Sequence, residues 1–226
     1  MISVDFLTCA YCIRTFNLEE EKMHLLDQTI LGIAILILLG MLVTLKRITT
    51  GSTLDKPKGS FLLQLVNIFN LFFLLIVNPL AAILLITHRL EMLDPSHWTI
   101  NIPWILMLLE IAGLLLYGIG FFLMAWALIR LGRNYQLGGS TPRPEDKMVK
   151  DGPYGLIRHP MYTAALSISL GLACAVQSWI FFCVFCIYLI LLLFLIPMEE
   201  EELQKAYGSE YRTYQHKAGM LMPFIH

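Results

Sequence analysis

The sequence predicts an all-α integral membrane protein: about five transmembrane helices, the last two forming a C-terminal helical hairpin, with an amphipathic terminal helix after them. Three observations predict it. Apolar residues make up 57% of the 226 residues and charged residues only 15%, where a soluble domain carries about 25%. The excess of Leu, Ile and Phe lies in long runs suited to a ~30 Å hydrocarbon core crossed at ~1.5 Å per residue, and mean hydropathy is +0.68. The residues able to do chemistry gather in two polar segments, 151–162 and 197–214.

The same composition excludes other classes. A formal net charge of −1 gives no electrostatic footprint for a nucleic-acid partner. Five cysteines, an odd number, do not make a secreted disulfide framework. Asp5, Arg14 and Glu19–Glu21 precede any long apolar run, so no cleavable signal peptide is expected and the first span should stay in the protein.

Residues 1–28 read as an N-terminal lead-in, a short interfacial helix or loosely ordered segment. Residues 29–129 hold three spans. The first runs from about Thr29 to Leu45 and stops at Lys46-Arg47. The second, about Phe61 to Thr87, carries Gln64, Asn67, Asn70 and Asn78, which are expected to bond across to other helices, and Pro79, which predicts a kink. Asp94-Pro95 signals a turn. The third, about Ile102 to Ile129, contains Glu110. An intramembrane carboxylate is a functional candidate, although this one lies near a helix end where the interface is within reach. Gly113, Gly118 and Gly120 are expected to allow close helix contact.

Residues 130–226 form the proposed catalytic region. A polar stretch ends at Pro160. A short fourth span, about Met161 to Val176, turns at Gln177-Ser178 into a fifth, about Trp179 to Ile196, which Pro197 is expected to end or kink. This hairpin brings Arg158-His159 and Glu199-Glu200 to one side of the membrane. A polar helix then runs from about Met198 to His216. With five spans, thirteen of the sixteen Lys and Arg residues fall on one side. The positive-inside rule therefore puts the N-terminus outside and the C-terminus and site in the cytoplasm.

Arg158-His159-Pro160-x-Tyr162 opens the fourth span. Proline suits a helix start, the free backbone donors there suit an anion, and Arg158 adds a fork able to hold a carboxylate or phosphate bidentately. The alternative is that Arg158 and His159 only anchor the helix at the interface. Glu199–Glu202 read as the start of a helix, where carboxylates suit the dipole; four exceed what a cap needs, so one or two are free to face Arg158 and His159. Tyr207, Tyr211 and Tyr214, spaced four and three apart, share a helical face and read as packing or an interfacial belt. Cys9-x-x-Cys12 and Cys183-x-x-Cys186 lack further ligands and read as incidental.

With these residues in view, the last hundred or so positions resemble the isoprenylcysteine carboxyl methyltransferase family of membrane-embedded enzymes. The resemblance is carried, in order, by Gly152, Tyr154, Arg158-His159-Pro160, Tyr162, Glu199-Glu200, Leu203, Tyr207-Gly208, Tyr211, Tyr214 and Pro223. It implies S-adenosyl-L-methionine as cofactor, held by Asp146, Lys147, Met148, Val149, Tyr154, His159, Pro160, Met161, Tyr162, Glu199 and Glu200. It also implies a lipid-like or prenylated acceptor entering from the bilayer, with Arg158 and His159 at the chemistry and no metal. The chain departs from the family at Leu195, where an arginine usually meets the substrate, and mildly at Tyr207 and Thr163. A membrane reductase using NADPH on a lipid-like or steroid-like substrate, and a non-catalytic lipid-binding protein, are the other readings of the same pattern. Oligomeric state is not encoded in these features.

Overall fold

The computed structural model describes residues 27–51, 61–90, 98, 100, 102–134 and 147–223. The lead-in 1–26 with Cys9 and Cys12, the Asp94-Pro95 turn, and the stretch 135–146 with Asp146 lie outside the described residues.

Seven α-helices carry the architecture of the described residues. Helix α1 is Gln28–Thr50, α2 is Phe61–Phe72, and α3 is Asn78–Ile86. Pro103–Leu131 forms α4, Pro160–Val176 α5, Trp179–Tyr207 α6, and Ser209–Gln215 the short α7. Helices α1, α2–α3, α4 and α6 are long and apolar enough to cross a membrane, and the seventeen-residue α5 is apolar but shorter. The chain is thus a multi-pass helical membrane protein. Apolar side chains such as Ile37, Phe122, Ile190 and Phe194 point outward, as a hydrocarbon solvent permits.

Each helix begins and ends for a local reason. Asp27 caps α1, its carboxylate accepting from Thr29 N–H at 2.8 Å and Ile30 N–H at 3.3 Å, as an N-cap should. Ser178 does the same for α6 through Phe181 N–H. Pro160 and Pro103 occupy first-turn positions where their missing N–H costs nothing.

The second span is one continuous stack, α2–α3, joined by a π turn at Phe73–Val77. A kink was expected at Pro79; what the structure shows is a widened turn just before it. The Asn78 N–H and its side-chain amide both donate to Phe73 C=O, the latter at 3.0 Å, and Tyr117 Oη on α4 donates to Asn78 Oδ1 at 3.0 Å. Asn78 thus bonds across helices as its sequence context predicts.

Burial of apolar surface does not drive helix association in lipid; close backbone packing does. In α4 and α5 this is visible at Gly113, where an added Cβ would lie 2.5 Å from Ala175 N, and at Gly120, where it would lie 2.8 Å from Ala164 O. Gly118 has open space around it instead, so it is not part of that contact. Glu110, one turn before Gly113, is 2% exposed. It lies roughly 30 Å along α4 from Leu131 at 1.5 Å per residue, at the opposite end from the polar segments.

Pro197 does not end the fifth span. Helix α6 runs through it for ten more residues and ends at Gly208, whose φ is 59°. Proline removes one helix bond, but Leu192, Leu195 and Ile196 are buried just before it and Glu199 and Glu200 are held just after it, so both flanks are fixed by tertiary contacts. The polar terminal helix predicted from Met198 is consequently the emerging end of α6 followed by α7.

Candidate functional site

Past Leu131 the chain makes a 3-10 turn, Gly132–Asn134. A second, Gly152–Gly155, leads into the extended residues before α5. Arg130 Nη1 reaches Asp151 Oδ2 at 3.2 Å, and Gly152, at φ 59°, passes under the Arg130 side chain with no room for a Cβ. These contacts fasten the entry loop to the end of α4.

The last described residues return along that loop. Ile157 and Gly219 form a parallel bridge. Arg158 N–H donates to Gly219 O at 2.7 Å, His159 N–H to Met220 O at 3.2 Å, and Gly219 N–H to Leu156 O at 3.1 Å. Thr163 Oγ1 extends the zipper to Leu221 O at 2.7 Å. The tail therefore straps the start of α5, a contact to which nothing in its apolar, glycine-containing sequence points.

Arg158 and His159 are buried, and Glu200 joins them. Arg158 Nε donates to Glu200 Oε1 at 2.6 Å, and His159 Nε2 lies 3.1 Å from the same oxygen. Gln215 Nε2 donates to Glu200 Oε2 at 3.0 Å. Arg158 Nη1 donates to the carbonyls of Gln215 at 2.9 Å and Ala218 at 2.5 Å. The expectation that Arg158 offers a free fork to a substrate anion differs from this geometry: Nε and Nη1 are engaged and Nη2 sits 3.5 Å from Glu200 Oε2. Arg158 clamps α6, α7 and the tail together.

Glu199 faces a second set. Tyr162 Oη donates to Glu199 Oε2 at 2.8 Å, the His159 and Tyr162 rings stack at 5.6 Å, and His159 Nδ1 is 3.9 Å from Glu199 Oε2. Glu201 and Glu202 turn outward onto Lys205. The split of the four carboxylates into an inward and an outward pair is as expected, but their setting is not. They lie deep in α6, far from its N-terminus, so the dipole does not stabilise them; Arg158, His159, Tyr162 and Lys205 do.

The remaining predicted residues divide. Met148 packs on Tyr211, Tyr214 and Ala218 together with Leu203 and Tyr207, so the segment 147–149 and the tyrosines meet although Gly208 breaks the helix between them. Lys150 pairs with Glu210, holding this segment to α7. Tyr154 is buried and its carbonyl accepts from Tyr214 Oη at 2.6 Å. Val149 is half-buried and Lys147 exposed. Pro160 is buried at the start of α5, while Met161 packs into the main core of α1, α3, α4 and α5, away from Glu199. Burial pushes the Tyr214 phenol up from its ordinary value; burial, then the Glu200 charge, does the same for Tyr211.

Leu195 is fully buried with Val66, Tyr188, Leu192 and Ile196, against which Tyr162, Met220 and Leu221 pack. This apolar seam reaches Tyr162. The two inward carboxylates, Glu199 and Glu200, are acceptors suited to hydroxyl or ammonium donors.

A family model described as phospholipid methyltransferase matches residues 108–210. Protein-S-isoprenylcysteine O-methyltransferase B of Arabidopsis thaliana is 30% identical over 125 residues, which cover 50% of this chain and 58% of that protein. The chain thus matches less than two thirds of that relative's length. A solved structure of the eukaryotic intramembrane Ras methyltransferase ICMT (isoprenylcysteine carboxyl methyltransferase) is 18% identical at a TM-score of 0.48, covering 96% of this chain and 93% of that one. The family-model match spans the segment from Arg158 to Tyr207 that carries most of the motifs.

Proposed function

We propose that this membrane protein, similar in its C-terminal half to membrane methyltransferases, transfers a methyl group from S-adenosyl-L-methionine to a carboxylate or other nucleophile of a lipid-like acceptor. The observation that carries this reading is the meeting of Glu199 and Glu200 with His159 and Tyr162 across the α5–α6 hairpin.

When bound, S-adenosylmethionine supplies a methyl group made electrophilic by a sulfonium. The chain's own residues supply the rest. Glu199 accepts hydrogen bonds from hydroxyl or ammonium groups and is kept in one orientation by the Tyr162 hydroxyl. Glu200 fixes the His159 ring, which lies flat against Tyr162. A carboxylate or thiolate acceptor needs no base in an in-line displacement, so orientation and exclusion of water do most of the work. Met220, Leu221 and Leu195 exclude water on the bilayer side. With Leu195 apolar and Arg158 engaged, the acceptor's polar end is held by groups other than an arginine at position 195, and its chain enters along the seam of Val66, Tyr188 and Leu192. The excess of Lys and Arg at this end supports a site on the cytoplasmic face.

Calorimetric titration of the detergent-purified protein with S-adenosylhomocysteine and with NADPH tests the reading. Binding of the first and not the second is expected. Binding of NADPH alone would replace it with a reductase; binding of neither to folded protein would leave a non-catalytic lipid-binding role.

A further inference from the structure

Tyr188, Leu192, Leu195 and Glu199 are spaced four, three and four apart and so share one face of α6. Glu199 ends this stripe in the site. Tyr188 lies about three turns deeper, in the membrane-spanning part of the helix, yet its phenol is within electrostatic reach of the Glu199 carboxylate. Leu192 and Leu195 between them are fully buried. Helix α2 forms the facing wall: Val66 is buried in the same cluster, and Phe69 stacks on the Tyr188 ring at 5.3 Å.

One atom is out of place in this wall. Tyr188 is 2% exposed, and among the described residues its hydroxyl closes no hydrogen bond. The Asn70 amide of α2 faces the phenol oxygen as a donor would, which leaves the phenol's own proton unspent. A phenylalanine ring would stack on Phe69 equally well, so the oxygen is superfluous to the helix contact. Buried phenols find partners in nearly every folded protein because an unmade bond is costly, and a recipient outside the polypeptide accounts for this one. Its chemistry follows from what surrounds it. Leu195 is apolar, and Arg158 is committed to Glu200 and the tail carbonyls. Two neutral donors beside the Glu199 carboxylate do not offset the burial of an anion. They suit a neutral oxygen that only accepts.

We propose that Tyr188, with Asn70 beside it, reads the methyl acceptor: Tyr188 Oη donates to a neutral carbonyl oxygen, of an ester or an amide, where the acceptor's hydrocarbon chain meets its polar end. This rests on the methyltransferase reading and adds to it a specificity-determining residue for the acceptor. A lipid joined to its polar end through an ether or a methylene leaves the phenol unpaired and is discriminated against for that reason. Tyr188 is a binding group here; it takes no part in moving the methyl.

The test is scintillation-proximity binding of tritiated lipids to wild type and Tyr188→Phe in detergent micelles, with S-adenosylhomocysteine saturating. Two probe pairs are used. Dioleoylphosphatidylethanolamine is set against its dioleyl ether analogue, and N-acetyl-S-farnesylcysteine against 3-(farnesylthio)propionate, which lacks the amide. In one pair the carbonyl-bearing member should bind wild type about three- to tenfold tighter than its partner. In Tyr188→Phe that difference should vanish, with the carbonyl-free member bound as well as by wild type. The pair that shows it tells ester from amide. No difference within either pair on wild type, a difference that survives in Tyr188→Phe, or binding of none of the four would overturn the proposal. Thermal unfolding without lipid is a second readout. The variant removes only an unmade bond, so its midpoint should equal or exceed that of wild type; a lower midpoint or failure to fold would show that the hydroxyl already has a partner in the protein, and would overturn the proposal too. Parallel calorimetry separates the two levels: failure of wild type to bind S-adenosylhomocysteine would overturn the methyltransferase reading, whereas lipid probes that do not discriminate on protein holding that ligand would overturn this inference alone.

Discussion

Arg158 and Glu200, forty-two positions apart in sequence, meet at 2.6 Å with side chains only 6% and 13% exposed. Removing one partner of a buried pair leaves an uncompensated charge, which typically costs about 3–5 kcal/mol. Arg158→Ala is expected to lose that much in chemical unfolding in detergent, and Arg158→Lys most of it, because an ammonium cannot reproduce the fork that holds Glu200, Gln215 and Ala218. A lysine variant as stable as wild type would show that Arg158 is not the clamp described.

Glu199 and Glu200 should separate in function despite being neighbours. Glu200→Gln breaks the Arg158 and His159 pairing and should lower stability. Glu199→Gln, whose described partners are a tyrosine hydroxyl and a distant ring nitrogen, should leave unfolding within about 1 kcal/mol and weaken S-adenosylhomocysteine binding at least tenfold. Parallel calorimetry and unfolding on both variants read the difference; equal effects on both properties would refute it.

Helix packing gives a third prediction. A side chain at Gly113 would overlap Ala175 and Gly171 backbone, so Gly113→Val should destabilise by about 1–3 kcal/mol or more. Gly118→Ala, in open space on the same helix, should be neutral or stabilise by up to ~1 kcal/mol. Thermal midpoints of the two variants provide the comparison.

Tyr117→Phe removes the donor to Asn78 Oδ1 beside the π turn. Interhelical hydrogen bonds in membranes average about 0.6 kcal/mol and reach about 1.7, and this buried one is expected in the upper half of that range. A double-mutant cycle with Asn78→Ala measures it directly.

Tyr211 and Tyr214 should not ionise with ordinary tyrosines. Their pKa values are raised by burial, so the native state keeps protons that the unfolded state releases above its value of about 10. Their contribution to stability is therefore intact below pH 10 and falls as pH rises beyond it. Absorbance titration at 295 nm should count as many phenols ionising near pH 10 in the native wild type as in the native Tyr211→Phe, Tyr214→Phe variant, and two more in the unfolded wild type than in the unfolded variant.

The membrane class, the order of the spans and the α5–α6 hairpin were legible because apolar runs and charge stops report directly on the solvent each segment meets. The meeting of Arg158 and His159 with Glu199 and Glu200 followed from the hairpin; Tyr162 came in only through the resemblance. What did not follow depends on contacts between distant segments. The helix through Pro197 continues because Leu192, Leu195 and Glu200 are anchored on either side, which no local propensity encodes. The Ile157–Gly219 bridge and the Gln215 bond to Glu200 join residues whose local sequence is unremarkable. Met161, next to Pro160 and Tyr162, turns into the core because successive residues of a helix point about 100° apart. The π turn before Pro79, where a kink was expected, carries the Asn78 bonds to the Phe73 carbonyl and to Tyr117 on another helix.

The strap also sets an order of assembly. Arg158 is synthesised forty-two residues before Glu200 and sixty before Ala218. Until those residues are made it is therefore a cation with none of these partners. Only when residues 215–221 have left the ribosome can the same guanidinium exchange water for Glu200 and the tail carbonyls. The same guanidinium is thus a solvated cation on the growing chain and a clamp in the finished one, and the start of α5 takes its final form only after the last residues of the tail are in place.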